Sequence, residues 1–163
     1  MTQSASQHVP DSPFAHFVLR PACPGDAQAL SALLQQLAPD GARPDAKLLA
    51  LRLSAPAPNQ VVLVAKRDGK LLGTCTLHLI EHLAHNFARS AILEDVVVDA
   101  DARGLGIGQA LIDKAVERAR AWGCYKLALS SNQSREAAHR FYQGLGFKPH
   151  GISLALALES GET

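Results

Sequence analysis

Between Leu93 and Trp122 the chain runs from an apolar strand, through glycines at alternate positions, into an amphipathic helix. The triplet Val96-Val97-Val98 has no polar alternate residue, as a central strand covered on both faces requires. Ile112, Ala115, Val116, Ala119 and Trp122 then recur at helical spacing and form one apolar stripe, and Gly123 closes the helix. A doubly covered strand feeding a helix places the chain among α/β folds, with helices over a sheet.

The other segments extend this reading. HFVLR (residues 16–20) is a short apolar run ahead of Pro21 and predicts a first strand. Ala27, Leu30, Leu33, Leu34, Leu37 and Ala38 follow at helical spacing, with Asp26 in the first turn and Pro39-Asp40-Gly41 as the stop. A second helix is expected over 45–53, ended by the proline-rich SAPAPN. QVVLVAKR (60–67) and LLGTCTLHLI (71–80) flank Asp68-Gly69, a hairpin signal. SAILEDVVVDA (90–100), YKLALS (125–130) and PHGISLALAL (149–158) predict three more strands, with a helix over REAAHRFYQGLG (135–146). The order β-α-α-β-β-β-α-β-α-β describes a single α/β domain with a mixed sheet, over 16–159, behind a polar, flexible tail at 1–15.

Composition narrows the function. At 163 residues, 47% apolar and 19% charged, the chain has the length and apolar content of one packed domain. A net charge of +1 excludes a broad basic surface for nucleic acid or membrane. No apolar run approaches the roughly 20 residues of a membrane helix, and the first residues have neither the basic nor the apolar region of a secretory signal. Cys23, Cys75 and Cys124 are odd in number and scattered, which predicts free thiols in a reducing cytoplasm and no metal pairing.

Three phosphate-binding patterns compete for Arg103-Gly104-Leu105-Gly106-Ile107-Gly108. A P-loop, GxxxxGK[ST], is absent. The dinucleotide spacing GxGxxG fails from Gly104, where Gln109 stands in the third place, and from Gly106, where Leu111 does. What remains is a strand, a turn and R-G-L-G-I-G at a helix start. Bare glycines admit a diphosphate close to the backbone, the helix start offers unpaired N–H groups and a positive dipole end, and Arg103 adds a charged fork. A glycine-rich turn with a solvated arginine is the plain alternative.

Arg103-x-x-Gly106-x-Gly108 resembles the acetyl-CoA-binding motif of the GNAT N-acetyltransferase superfamily. Asn132 and AHRFYQGLGF (138–147) are similar to the same superfamily's later motif, also after a strand. The resemblance covers roughly residues 20–158. Within it, LEDVVVDADARGLGIGQALID and WGCYKLALS resemble glucosamine-6-phosphate N-acetyltransferases, whereas LHLIEHLAHN and SSNQSREAAHRFY look more like aminoalkylphosphonate acetyltransferases. The resemblance implies a mostly antiparallel, twisted GNAT-type sheet. It also implies transfer of acetyl from acetyl-CoA to the primary amine of a small molecule, an amino sugar phosphate or an aminoalkylphosphonate, by direct attack in a ternary complex. Its alternatives are acetylation of a protein amine or an aminoglycoside, or a non-catalytic acyl-CoA sensor.

Roles follow residue by residue from the resemblance. The backbone of Arg103, Gly104, Leu105, Gly106, Ile107, Gly108 and Gln109 would hold the diphosphate, and that of Val96, Val97 and Val98 would pair with the pantetheine arm while their side chains serve the core. Tyr142 would protonate the departing thiolate, against a plain role anchoring its helix. Asn132 would contact the cofactor arm or cap the following helix. Glu94 or Asp95 would accept the amine's proton. Strand alternation lets only one of them face the substrate, with Glu94 favoured, and partial burial would raise its pKa. His78, His82 and His85 suit a substrate-facing or loop role better than a metal. Arg135, Arg140 and Lys126 are candidate phosphate partners, each more readily read as a solvated charge. The apolar ISLALAL strand is the expected edge of a homodimer, as in some relatives.

Overall fold

A computed structural model describes residues 17–158. The expected tail at 1–15, and residues 16 and 159 at the domain limits, lie outside the described residues. Contacts divide the chain into two compact units, Met1–Ala128 and Leu129–Thr163.

In the first unit β1 (Val18–Pro21) leads through a 3-10 turn at Pro24–Asp26 into α1 (Ala27–Leu34). A further 3-10 turn, Gln35–Leu37, extends α1. There the Gln35 side-chain amide donates 3.0 Å bonds to the carbonyls of Ala38, Pro39 and Gly41, closing the turn that Pro39-Asp40-Gly41 marks. α2 (Ala46–Ser54) begins at Asp45, whose carboxylate accepts from the Leu48 N–H at 2.8 Å and so satisfies one orphan donor of the helix start. β2 (Gln60–Arg67) and β3 (Lys70–Glu81) form the predicted hairpin. Asp68 and Gly69 both adopt left-handed φ, 48° and 82°, as a two-residue hairpin turn demands. A four-residue helix α3 (Ala84–Phe87) joins β3 to β4 (Arg89–Val98), and α4 (Ile107–Ala121) and β5 (Cys124–Leu129) follow.

The sheet order is β1-β2-β3-β4-β5, and the β1–β2, β2–β3 and β3–β4 pairs are antiparallel. Neighbours along a strand face opposite ways, and helices use both faces. Val64, with Leu71 and Val97, packs on Leu30 and Leu33 of α1. The next residue, Ala65, pairs with Gly73, and a side chain at Gly73 would meet Leu111 and Ile107 of α4. So α1 covers one face and α4 the other, which is why Val97 is buried. Leu30, Leu77, Leu93, Ile107, Leu111 and Ile112 are almost wholly buried, and truncating any of them to alanine costs about 2–5 kcal/mol.

The second unit carries α5 (Glu136–Gly144). Gly146, at φ 91°, supplies the left-handed residue that ends it, and the Gly146 and Phe147 N–H groups donate 3.0 Å bonds to the carbonyls of Gln143 and Tyr142. One expectation fails here. Residues 149–158 form no strand, and Ile152, Leu154, Leu156 and Leu158 are 83–90% exposed. Alternation of large apolar and small residues favours an extended chain, but a strand needs a neighbour's backbone, and among the described residues no strand pairs with this segment.

Candidate active site

β4 organises the first unit's polar features. Glu94 pairs with Thr76 of β3 and Val97 with Thr74, so the single residue Cys75 stands opposite both Asp95 and Val96. This is a β-bulge, and Asp95 takes the strain, with φ 53°. A non-glycine residue in that region costs on the order of 1–3 kcal/mol and persists only when its surroundings enforce it. Aspartate is among the residues that tolerate it best.

The bulge corrects two sequence expectations. Regular alternation does not hold across Glu94-Asp95-Val96, so it cannot choose between the carboxylates. It is Asp95 that lines a cavity of about 480 Å³, together with Thr74 and Thr76 of β3 and Val62 of β2; Glu94 is not on its wall. Both carboxylates are also exposed rather than half-buried. The wall is mostly apolar, built from Leu30 and Leu34 of α1, Leu49 and Leu53 of α2, and Val61 and Val62, with Arg52 and Arg118 adding charge. Pockets for small molecules span roughly 300–1,000 Å³ and have this mixture of apolar wall and few polar groups.

After Val98 the chain enters the glycine loop, held at its base by Asp99. The Asp99 carboxylate accepts from the Asp101 N–H at 3.2 Å, from Lys70 Nζ at 3.3 Å and from Gln36 Nε2 at 3.3 Å. Gln36 Oε1 in turn accepts from the Ala100 N–H at 3.1 Å, and the Asp99 N–H donates to the Leu72 carbonyl at 2.9 Å. Partial burial pushes the Asp99 pKa up, but the bonds from Lys70, Gln36 and Asp101 outweigh it and hold the carboxyl below its ordinary value. Sequence reading passed over Asp99 and Gln36. An aspartate opening Asp-Ala-Asp-Ala, an N-cap signal, was the available clue; Gln36 left none.

Beyond Asp99 the loop stays open. Gly104 and Gly106 are left-handed at φ 77° and 76°, and a Cβ on either would meet nothing within 4 Å. Gly106 is the N-cap of α4 and supplies no side-chain cap, so the first-turn N–H groups of a 15-residue helix keep their donors for a ligand. Arg103 is exposed and makes no hydrogen bond or ion pair among the described residues. Ile107, at 2% exposure, is core, and contributes only backbone to the rim. Leu105 and Gly108 are half-buried and Gln109 is exposed; Val96 and Val98 are half-buried. The arrangement fits an anionic group approached by bare backbone, as a diphosphate requires.

The second unit holds Asn132 and Tyr142. The Asn132 carboxamide accepts from the Ser134 N–H at 3.0 Å and its hydroxyl at 2.8 Å. It therefore orders the loop before α5, whose N-cap is Arg135. The Tyr142 ring meets Phe141 in a tilted pair at 5.2 Å and Phe147 edge to face at 5.7 Å.

The histidines stay apart in role. His78 lies within β3 opposite Ile92. His82 Nε2 bonds Ser90 Oγ at 2.8 Å, and its ring lies 6.3 Å from that of Tyr125. The side chain of His85 lies outside the described residues. Among the described residues no three His, Cys, Asp or Glu side chains gather as metal ligands, and no helix is long and apolar enough to cross a membrane. Arg135 is exposed, Arg140 lies 3.6 Å from Glu136 of its own helix, and Lys126 Nζ sits 5.4 Å over the Tyr125 ring.

A bulged strand running into an open glycine loop at an uncapped helix start builds an anion-binding site beside a small-molecule cavity. The chain belongs to the acetyltransferase (GNAT) family, whose model matches residues 28–147. A glucosamine 6-phosphate N-acetyltransferase of Trypanosoma brucei brucei is 37% identical over 55% of this chain, and the match spans 59% of that enzyme. The aminoalkylphosphonate N-acetyltransferase of Salmonella typhimurium is 36% identical over 62% of this chain and 65% of its own length. Both matches thus leave more than a third of the relative uncovered. A solved structure from Agrobacterium tumefaciens superposes with a TM-score of 0.79 at 30% identity, covering 86% of this chain and 99% of that one.

Proposed function

We propose that the protein transfers an acetyl group from acetyl-CoA to the primary amine of a small molecule, an amino sugar phosphate or an aminoalkylphosphonate, by direct attack in a ternary complex. The observation that carries this reading is the coupling of two features through β4. Asp95 lines a cavity of small-molecule size, and four residues later Asp99 starts an open glycine loop. The cavity's volume suits a small amine better than a protein segment.

The acetyl donor supplies a thioester carbonyl carbon. Attack by the amine breaks its C–S bond, so the product amide sheds one proton and the leaving thiolate takes one up. The chain's residues serve these demands in turn. Backbone N–H groups of residues 103–109 bind the diphosphate and Arg103 adds its positive fork. Val96, Val97 and Val98 offer backbone groups to the pantetheine arm. Asp95, on the cavity wall, receives the amine's proton directly or through water. Tyr142 gives its phenolic proton to the sulfur, a role that rests on its place in the motif A-H-R-F-Y. Asn132 keeps the loop before α5 in order. Activity of this kind needs the acid that a sensor lacks, which favours the enzyme over a non-catalytic binder.

The test is release of free thiol from acetyl-CoA over glucosamine 6-phosphate, 2-aminoethylphosphonate, a polyamine and an aminoglycoside. Turnover with either phosphorylated or phosphonylated amine is the expected result. Thiol release no faster than in buffer across the whole panel overturns it.

A further inference from the structure

Two guanidinium groups lie on the cavity wall, and their circumstances differ. Arg118 is engaged, its guanidinium 5.1 Å over the Trp122 ring. Arg52, in the last turn of α2, makes no hydrogen bond, ion pair or ring contact among the described residues. The rest of α2 that faces the cavity, Leu49 and Leu53, is apolar. The negative group on the wall is Asp95, on β4. One open cavity therefore offers a carboxylate from the sheet, an unpaired guanidinium from a helix, and leucine and valine on the same wall.

From this juxtaposition we infer that Arg52 is a specificity-determining residue: it binds an anionic group on the acceptor, at the end of the molecule away from the amine that Asp95 receives. The acceptor class is a short zwitterion, an ammonium joined through a compact body to a phosphonate, phosphate or carboxylate. The inference rests on the acetyltransferase reading and deepens it. It also moves the anion site away from Arg135, Arg140 and Lys126. Arg140 has an acidic neighbour on its own helix, and Lys126 lies over an aromatic ring. A guanidinium suits this work because its planar fork meets two oxygens at once and stays charged at every working pH. A site built around such a group rejects the analogue that leaves it unpaired.

The experiment compares 2-aminoethylphosphonate with n-butylamine, an amine of similar length that carries no anionic group, in the native full chain, Arg52→Gln and Arg52→Lys. The ratio of KM for the phosphonate to KM for n-butylamine is expected to rise about tenfold in Arg52→Gln, with Arg52→Lys recovering part of the loss. An unchanged ratio overturns the assignment, as does an equal rise for both amines. Arg52 is exposed, and a melting curve for each variant separates loss of binding from loss of fold. If the native chain acetylates neither amine, calorimetric titration of 2-aminoethylphosphonate decides the subsite, while the transfer reading itself fails only when the whole amine panel gives no turnover. Binding that weakens about tenfold in Arg52→Gln upholds it. Equal binding in both chains, or none to the native chain, overturns it.

Discussion

Arg20 holds the carboxylate of Asp26 at two points, Nη1 at 2.6 Å from one oxygen and Nη2 at 2.9 Å from the other. The Asp26 side chain is 1% exposed, and Lys66 Nζ reaches it from β2 at 3.2 Å. This pairing ties β1, the turn into α1, and β2 together. The bond from Arg20 holds the Asp26 carboxyl well below its ordinary value, against a burial effect that raises it. Asp26→Asn leaves two cations with no counter-charge. It is expected to cost about 2–3 kcal/mol in urea unfolding at neutral pH, below the ~3–5 of fully buried pairs, since both cations stay partly hydrated. Because the folded state makes this acid stronger, its contribution is complete above the ordinary value of 3.8 and fades as pH falls below it toward the folded value. The gap between native chain and Asp26→Asn is therefore expected to narrow below that pH, and a constant gap down to the acid transition contradicts the pairing.

Gly106→Ala introduces a side chain at φ 76° into empty space, so what it disturbs is the backbone and the face offered to a ligand. Coenzyme A affinity is expected to fall about tenfold or more, from strain of roughly 1–2 kcal/mol and from the added methyl. Gly69→Ala is the matched control. It has φ 82°, equally empty surroundings, and a place in the β2–β3 turn. Calorimetric titration that shows equal losses in the two variants removes the special role of Gly106.

Asp95→Asn and Glu94→Gln separate the two carboxylates. With Asp95 as proton acceptor, kcat/KM for the amine falls about a hundredfold in Asp95→Asn. Glu94→Gln, off the cavity wall, changes it by less than about threefold. The reverse order in steady-state kinetics would return the role to Glu94.

Tyr142→Phe keeps a ring between Phe141 and Phe147 and removes only the hydroxyl. A proton donor lost this way lowers kcat about a hundredfold while coenzyme A affinity stays. Full turnover with a good acceptor would reduce Tyr142 to packing.

The cysteines differ in exposure, which alkylation reads directly. Burial pushes the Cys75 thiol up to about 12, and Cys75 lies in β3 behind the bulge, whereas Cys23 is exposed. Iodoacetamide at neutral pH is expected to modify Cys23 and spare Cys75 in the folded chain. Peptide mapping that finds Cys75 modified without unfolding contradicts the packing.

Much of this was legible from pattern alone. The Asp68-Gly69 turn, the β4–loop–α4 passage and the α4 stripe were readable because each depends on local rules of period, turn chemistry and helix ends. Asp95 was not. Its orientation depends on a bulge, and a bulge is a property of two strands in register, so Glu94-Asp95-Val96 reads as ordinary alternation until Cys75 is set beside it. Arg52 was hidden for a similar reason. It looks like one more solvated charge near the end of a helix until α2 and the sheet are set side by side along one cavity. The missing strand over ISLALAL shows the opposite error, since its pattern meets every local demand of a strand and only pairing is absent.

The bulge also sets a rule of length. Between the Thr76–Glu94 and Thr74–Val97 pairs, β3 spends one residue and β4 spends two. Removing Asp95 would let the strands pair evenly, with Val96 opposite Cys75 and Val97 still opposite Thr74, so the glycine loop would stay in register with Asp99's partners on β3 and on the turn after α1. At this point of the chain the number of residues matters as much as their kind: substitutions at Asp95 can be graded by chemistry, but a single deletion would take both the bulge and its carboxylate off the cavity wall while leaving the glycine loop in place.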